Sequence, residues 1–297
     1  MTASRDLAMR DGKAGTVMIM TWASIKGVEQ PARPRFRVRG LLGRMRITHA
    51  GIAYLAAITG AELVTALLDP MLGILCHVVI LGSLLIHSAL AGTTEGRNFL
   101  LSMAIAPVIR IVSLGMPLGM FRQEWWYLLT SIPLFATAFV IIRTIPLQRR
   151  QIAIQLPALR ALPVTLIVVA SGALLGLIEF LILRPEPLAG SLTVTAMALP
   201  AAILMACTGV IEELIFRGIL QTTGTKVFGT GRGIVYVSLL FGALHIGHLS
   251  VVDVIFVTAV ALYFAGIVHR TRSLLGVSIA HGITNIMLFV VLPLLMR

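Results

Sequence analysis

The sequence predicts an all-α fold: a polytopic membrane helix bundle of about eight or nine transmembrane helices. Of its 297 residues, 58% are hydrophobic and only 12% are charged, about half the charged share of a typical soluble chain. The mean hydropathy of +0.96 is typical of a chain whose solvent is lipid. Apolar runs long enough to cross a bilayer core, which takes about 20 helical residues, recur along the chain. These observations argue strongly against a water-soluble fold.

Nine apolar runs are candidates for the transmembrane helices, and short polar turns such as Asp69-Pro70 separate them. The weakest division is between the seventh and eighth runs, where residues 249–253 are the only break, so one of these two runs is a candidate for a re-entrant segment. The runs lie near residues 49–68, 71–91, 99–119, 125–142, 161–183, 193–222, 234–250, 251–268 and 274–295.

The basic residues indicate how the chain is oriented. Ten of the 24 Lys and Arg residues precede residue 47, and most of the others fall in loops that are cytoplasmic when this tail is cytoplasmic. That is the positive-inside pattern of a membrane protein, and it does not point to a nucleic-acid partner. We therefore expect a basic cytoplasmic amino-terminal tail at residues 1–46, accessory transmembrane helices at 47–189 and a further membrane domain at 190–297, in the plasma (inner) membrane.

Ionisable side chains inside the apolar runs need an explanation, because a charge at the centre of a bilayer costs about 2.5 to 3.5 kcal/mol on insertion scales. The sixth run contains two adjacent glutamates, Glu212 and Glu213, followed by Arg217. Residues four apart share a helix face, so Glu213 is expected to pair with Arg217, whereas Glu212 points about 100° away. We therefore expect Glu212 to face a cavity.

Polar residues of the seventh and ninth runs are expected at a similar depth. His245 follows Phe241 by one helical turn, and His281 shares a helix face with Asn285. At 1.5 Å per residue, Glu212, His245 and His281 lie roughly 12 to 18 Å from the predicted cytoplasmic loops. If their helices are adjacent, they line one polar cavity that opens to the cytoplasm. A carboxylate and an imidazole there can activate a water, and an imidazole with an amide can stabilise an oxyanion, which together suit amide hydrolysis.

Three motifs of the last third of the chain share a spacing of one helical turn: Glu212-Glu213-x-x-x-Arg217, Phe241-x-x-x-His245 and His281-x-x-x-Asn285. In this order on successive apolar segments, they resemble the motifs of the CPBP family, which groups type II CAAX prenyl endopeptidases with bacteriocin-processing and immunity proteins. The resemblance covers residues 190–297 and implies that they form a CPBP-like catalytic membrane domain, that of an intramembrane endopeptidase.

The resemblance also implies roles for the motif residues. Glu212 and His245 would activate the water, and His281 with Asn285 would form the oxyanion hole. The residues with supporting roles would be Glu213, Arg217 and Phe241. The expected partners are the lipid bilayer and a membrane-associated peptide or protein substrate, with a prenylated CAAX-like substrate as one candidate.

Three alternatives stay open at this point. Two histidines and a carboxylate form a common catalytic zinc set, so Glu212, His245 and His281 would be the ligands if zinc is used. We favour a mechanism without a metal or other cofactor, because no His-Glu-x-x-His sequence is present and because histidines that donate to an oxyanion do not offer lone pairs to a metal. The alternative functions are a proton-coupled transporter with a Glu/His relay and a non-catalytic immunity or scaffold protein of the same fold.

Four further acidic and basic residues of the apolar runs receive simpler interpretations. Glu62 and Arg110 lie at similar depths in the first and third runs, and we expect them to neutralise each other. Glu179 and Asp253 lie near the outer ends of their runs, so we expect them to reach water. The remaining histidines of the apolar segments are interpreted as helix-packing hydrogen-bond donors: His77, His87, His248 and His269.

Overall fold

Helices account for all the regular secondary structure of the described residues, which confirms the predicted fold class. The computed structural model describes residues 35–296, with side chains described from residue 46 onward. The unit Leu41–Arg297 contains every contact discussed below. Residues 1–34 of the predicted basic tail lie outside the described residues.

The helices of the amino-terminal half are α1 Arg35–Leu67, α2 Pro70–Leu90, α3 Thr94–Met103, α4 Ile105–Gly115, α5 Gln123–Thr144 and α6 Leu162–Leu183. Those of the other half are α7 Val194–Leu204, α8 Ile211–Glu213, α9 Gln221–Phe228, α10 Thr230–Ala243, α11 Val251–Thr271, α12 Leu275–Ile286 and α13 Leu292–Leu295. Wide π-helical turns join α7 to α8 and α8 to α9, at Met205–Val210 and Leu214–Leu220, and make one long helical segment.

Eight segments of the described chain are long and apolar enough to cross a membrane. They are Arg46–Leu67, Pro70–Leu90, Thr94–Gly115, Gln123–Thr144, Leu159–Leu183, Val194–Phe228, Val251–Thr271 and Leu275–Leu295. The predicted seventh span, near residues 234–250, is not among them, because α10 has only 14 residues and ends at Ala243.

The early end of α10 has a local cause. Gly242 and Gly247 flank the end of the helix, and glycine has a low helix propensity. Leu249 then adopts a left-handed backbone conformation with a φ of 54°. The Ser250 hydroxyl accepts a hydrogen bond from the Asp253 backbone N–H at 3.2 Å, which caps the start of α11. The predicted break is thus a short turn that shortens the seventh helix.

Small residues let α12 pack closely against α6 and against the π-helical turn before Glu212. A Cβ atom on Gly172 of α6 would lie 2.5 Å from the Ala280 carbonyl oxygen, and one on Gly209 would lie 2.5 Å from the Ser278 carbonyl oxygen. Only glycine permits such backbone approach, as is common between membrane helices. This packing brings the helix that carries His281 next to the helix that carries Glu212.

Two connections and helix α9 meet at one end of the bundle. The Leu274 N–H, between α11 and α12, donates to the Ala153 carbonyl oxygen at 3.0 Å, in the connection between α5 and α6. The Thr222 hydroxyl of α9 donates to the Gln151 carbonyl oxygen of the same connection at 2.8 Å. This end therefore gathers basic residues from distant parts of the sequence: Arg149, Arg150, Lys226, Arg270 and Arg272.

Candidate active site

A cavity of about 150 Å³ lies within the bundle and is lined by all four residues that were predicted to be catalytic. Glu212 comes from α8, His245 follows α10, and His281 and Asn285 come from α12. The predicted convergence depended on the helices being adjacent, and the long helical segment that carries Glu212 packs against both α10 and α12.

Glu213 is the hub of a buried hydrogen-bond network beside the cavity. Its Oε1 atom accepts a hydrogen bond from Arg217 Nη1 at 2.9 Å, so the predicted pair is confirmed. The same oxygen accepts a second hydrogen bond from His281 Nδ1 at 2.8 Å. Glu213 is fully buried and Arg217 is almost fully buried. This network holds the His281 ring against the helix that carries both glutamates.

Glu212 has a different environment from its neighbour. Its side chain is 29% exposed to the cavity, and its Oε2 atom lies 3.8 Å from His281 Nε2. Within the part of the chain that the structure describes, its carboxylate has no hydrogen-bond partner, since 3.8 Å is too long for a hydrogen bond. The predicted difference between the two adjacent carboxylates is therefore present in the geometry. Glu213 accepts hydrogen bonds from Arg217 and His281, whereas Glu212 faces the cavity.

The His245 ring is oriented by its own helix. Its Nδ1 atom lies 2.8 Å from the Phe241 carbonyl oxygen, and since a carbonyl only accepts, Nδ1 donates. Burial lowers the pKa of His245, which lies outside the eight span-length segments, to about 3, and His248 contributes to the lowering. The ring is therefore neutral near pH 7, and its Nε2 atom carries a lone pair that can accept a hydrogen bond.

The Phe241 side chain contacts three polar groups of the site. Its ring centroid lies 4.6 Å from that of His245 and 6.2 Å from that of His281. The Arg217 guanidinium carbon lies 4.7 Å from the same centroid, which is a cation–π distance. A phenyl ring at this position supports both imidazoles and shields the buried guanidinium from water.

Two acidic residues are not where the sequence placed them. Glu179 and Asp253 were expected to reach water, and both are buried. Glu179 lines the cavity, together with side chains of α11 and α12. Asp253 Oδ2 lies 2.7 Å from His248 Nδ1 in the turn just before its helix. The distance of a residue from the end of its helix does not reveal that other parts of the chain bury its side chain.

Tyr127 and His248 also belong to the site, and sequence reasoning missed them. Both line the cavity and also a second cavity of about 260 Å³, which shares Glu212 and His245 with the first. Tyr127 comes from α5, outside the three motifs, and no local sequence signal distinguishes it. His248 was interpreted as a packing donor, but its spacing from His245 places it on the same short turn.

Glu212, His245 and His281 are the side chains that would bind zinc if the protein uses it. Among residues 46–296, no three or more His, Cys, Asp or Glu side chains form a group that could hold a metal ion. His281 Nδ1 already donates to Glu213, and His281 Nε2 lies 3.8 Å from Glu212. Nε2 is therefore the His281 nitrogen that would face a metal, since Nδ1 already donates to a carboxylate.

The bundle and its cavity define a multi-pass membrane protein in which ionisable side chains line a cavity among the helices. Residues 193–287 match the family described as type II CAAX prenyl endopeptidase Rce1-like. The match covers about a third of the chain and includes all three motifs, so it confirms the resemblance drawn from them. It supports a CAAX-type intramembrane endopeptidase in general, and thus a hydrolase. Searches of curated proteins and of solved structures gave no match.

Proposed function

We propose that this protein is a glutamate-dependent endopeptidase that cleaves a peptide bond of a membrane-associated substrate. The observation that carries the proposal is the common cavity of Glu212, His245, His281 and Asn285. Each of the four belongs to a motif with the chemistry that amide hydrolysis needs: a base, a group that orients the water, and hydrogen-bond donors for the oxyanion.

In the proposed reaction, Glu212 takes a proton from a water whose oxygen attacks the scissile carbonyl carbon. His245 Nε2 accepts a hydrogen bond from the same water and directs its lone pair, since the neutral ring has an acceptor at this atom. When the tetrahedral intermediate collapses, the carbon–nitrogen bond breaks and Glu212 returns the proton to the leaving amine. With a pKa of about 3, His245 orients the water and leaves the proton to the carboxylate.

The oxyanion is bound by His281 and Asn285 in this proposal. His281 Nδ1 donates to Glu213, so Nε2 is a donor only when the ring carries both protons. The Asn285 amide has no hydrogen-bond partner among the described residues, and its N–H groups are available to an oxygen in the cavity. One charged and one neutral donor on the same helix face would then stabilise the negative charge as it develops.

We place the active site toward the cytoplasm, in the plasma (inner) membrane. The end of the bundle that gathers Arg149, Arg150, Lys226, Arg270 and Arg272 has the charge that the positive-inside rule assigns to the cytoplasm. Glu212 lies ten residues from Thr222 at that end, roughly 15 Å along the helix. A CAAX-like carboxyl-terminal segment of a cytoplasmic, lipid-anchored protein would enter from this side.

The proposal is tested by cleavage of membrane-anchored peptides by the protein in liposomes, with prenylated and unprenylated CAAX-like versions of one sequence and with products identified by mass spectrometry. We expect Asn285→Ala to lower kcat by about 10²- to 10³-fold, the usual cost of one oxyanion-hole donor. Asn98→Ala on α3 is the matched control and should keep wild-type activity. Equal activity of Asn285→Ala and wild type would contradict the role of the amide.

Chelation tests the proposed absence of a metal from the mechanism. We expect the rate of peptide cleavage to stay unchanged after prolonged treatment with a strong chelator, because the proposed steps use only side chains and water. The measurement is the initial rate before and after treatment, with a zinc peptidase as the positive control. A rate that falls to background and returns when Zn²⁺ is added would replace this mechanism with the zinc alternative.

A further inference from the structure

Spans that lie outside the family match reach the site through a buried ion pair. Arg110 Nε donates to Glu62 Oε1 at 2.8 Å, and Arg110 Nη2 lies 2.8 Å from Glu62 Oε2, so the predicted pair is confirmed in side-on geometry. Glu62 is fully buried, and His77 Nε2 lies 3.3 Å from its Oε1 atom. Helices α1, α2 and α4 are thereby joined around one carboxylate.

The guanidinium also holds the backbone beside His245. Arg110 Nη2 donates a hydrogen bond to the Leu244 carbonyl oxygen. Leu244 directly follows α10. The last carbonyl groups of a helix have no hydrogen-bond partners within the helix, and an arginine side chain can donate to them. This contact links the accessory helices to the residue that precedes His245.

We propose that Arg110, held by Glu62, is a positioning residue for His245. Two contacts then fix the position of the His245 imidazole. The Phe241 carbonyl accepts a hydrogen bond from Nδ1, and Arg110 holds the backbone turn from which the ring projects. Arg110 and His245 also line the same 260 Å³ cavity, with Glu212 in its wall. The inference rests on the proposed function for its catalytic consequence, and it gives the accessory helices a part in the site.

A purely structural ion pair would behave differently from a positioning pair. Removal of one partner leaves the other charge buried and destabilises the protein in both cases, whereas replacement of both partners by apolar residues is often neutral for stability. The double variant Glu62→Leu/Arg110→Leu therefore separates the two roles. A structural pair predicts recovery of both thermal stability and activity, and a positioning pair predicts recovery of stability alone.

We expect the double variant to keep a Tm near that of wild type and to lose on the order of 10²-fold in kcat, with little change in KM. A loss of this size is typical when a catalytic group is displaced by about 1 Å.

Arg110→Lys is the second variant: it retains the charge opposite Glu62 but lacks the forked donors that reach Leu244, and it should fold and lose kcat as well. Arg143→Leu, an exposed arginine of α5, is the control and should match wild type. Wild-type kcat in the double variant or in Arg110→Lys would overturn the inference.

A readout that does not need peptide cleavage keeps the inference separate from the proposed function. Diethyl pyrocarbonate modifies neutral imidazoles, and mass spectrometry follows His245 and His281 in the same sample. In Arg110→Lys and in the double variant, we expect modification of His245 to become about tenfold faster, which corresponds to about 1.4 kcal/mol of lost protection, and that of His281 to stay the same. An unchanged His245 rate would overturn the positioning role even if the wild-type protein cleaves no peptide.

Discussion

Glu212→Gln is expected to abolish peptide cleavage and leave the bundle folded. The amide is isosteric with the carboxylate but takes no proton from water, and the loss of a general base alone costs about 10²- to 10⁴-fold in rate. The structure gives the reason that folding survives: the Glu212 side chain faces the cavity, and its closest charged contact, with His281 Nε2, is 3.8 Å long. The measurements are kcat on the membrane-anchored peptide and Tm in the same detergent.

The adjacent residue provides a matched control for this substitution. Glu213→Gln is the same chemical change one position along the helix, but it alters the oxygen that accepts from both Arg217 and His281. We expect it to lower Tm as well as activity, whereas Glu212→Gln should lower activity alone. In cells, Glu212→Gln should also cause uncut precursors of the substrate to accumulate in the membrane proteome. Full activity of Glu212→Gln would remove the water-activation role, and a large fall in its Tm would show that Glu212 also supports the fold.

Contacts within one helix were predictable from the sequence, because helical periodicity fixes them. The pairing of Glu213 with Arg217 follows from their spacing of four residues, and the different exposure of Glu212 follows from its turn of about 100°. The pair of Glu62 and Arg110 was also predicted, from depth and from the cost of an unpaired charge in lipid. These rules use only distance along a helix and the electrostatics of the membrane.

Other contacts between helices were beyond these rules. The bond from His281 to Glu213 depends on how closely α12 packs against the π-helical turn before α8. That packing in turn depends on glycines whose neighbours in space one sequence does not reveal. The burial of Glu179 depends on the side chains of other helices around the cavity. Tyr127 enters the site from a helix with no motif. Each of these features is set by tertiary packing, which cannot be predicted from the hydropathy and residue spacing of a single sequence.

Arg217→Leu is expected to destabilise the protein by about 3 to 5 kcal/mol, the usual cost of breaking a buried ion pair. The substitution leaves the fully buried Glu213 carboxylate without its cation and removes the guanidinium that packs 4.7 Å from the Phe241 ring centroid. The free energy of unfolding would be measured by denaturant titration in mixed micelles. Arg122→Leu is the control, because the side chain of Arg122 is 76% exposed in its pair with Glu124, and exposed pairs contribute about 0 to 1 kcal/mol.

The same pair also determines whether the network matters for catalysis as well as for folding. Glu213→Leu/Arg217→Leu replaces the buried pair by apolar side chains, which should restore most of the stability that Arg217→Leu loses. His281 Nδ1 would then have no carboxylate to donate to, so the imidazolium that the oxyanion hole requires would lose its counter-ion. A stable double variant with strongly reduced kcat is the expected result. A stable double variant with wild-type kcat would mean that Glu213 serves the fold alone, and that His281 acts without the contact that now holds it.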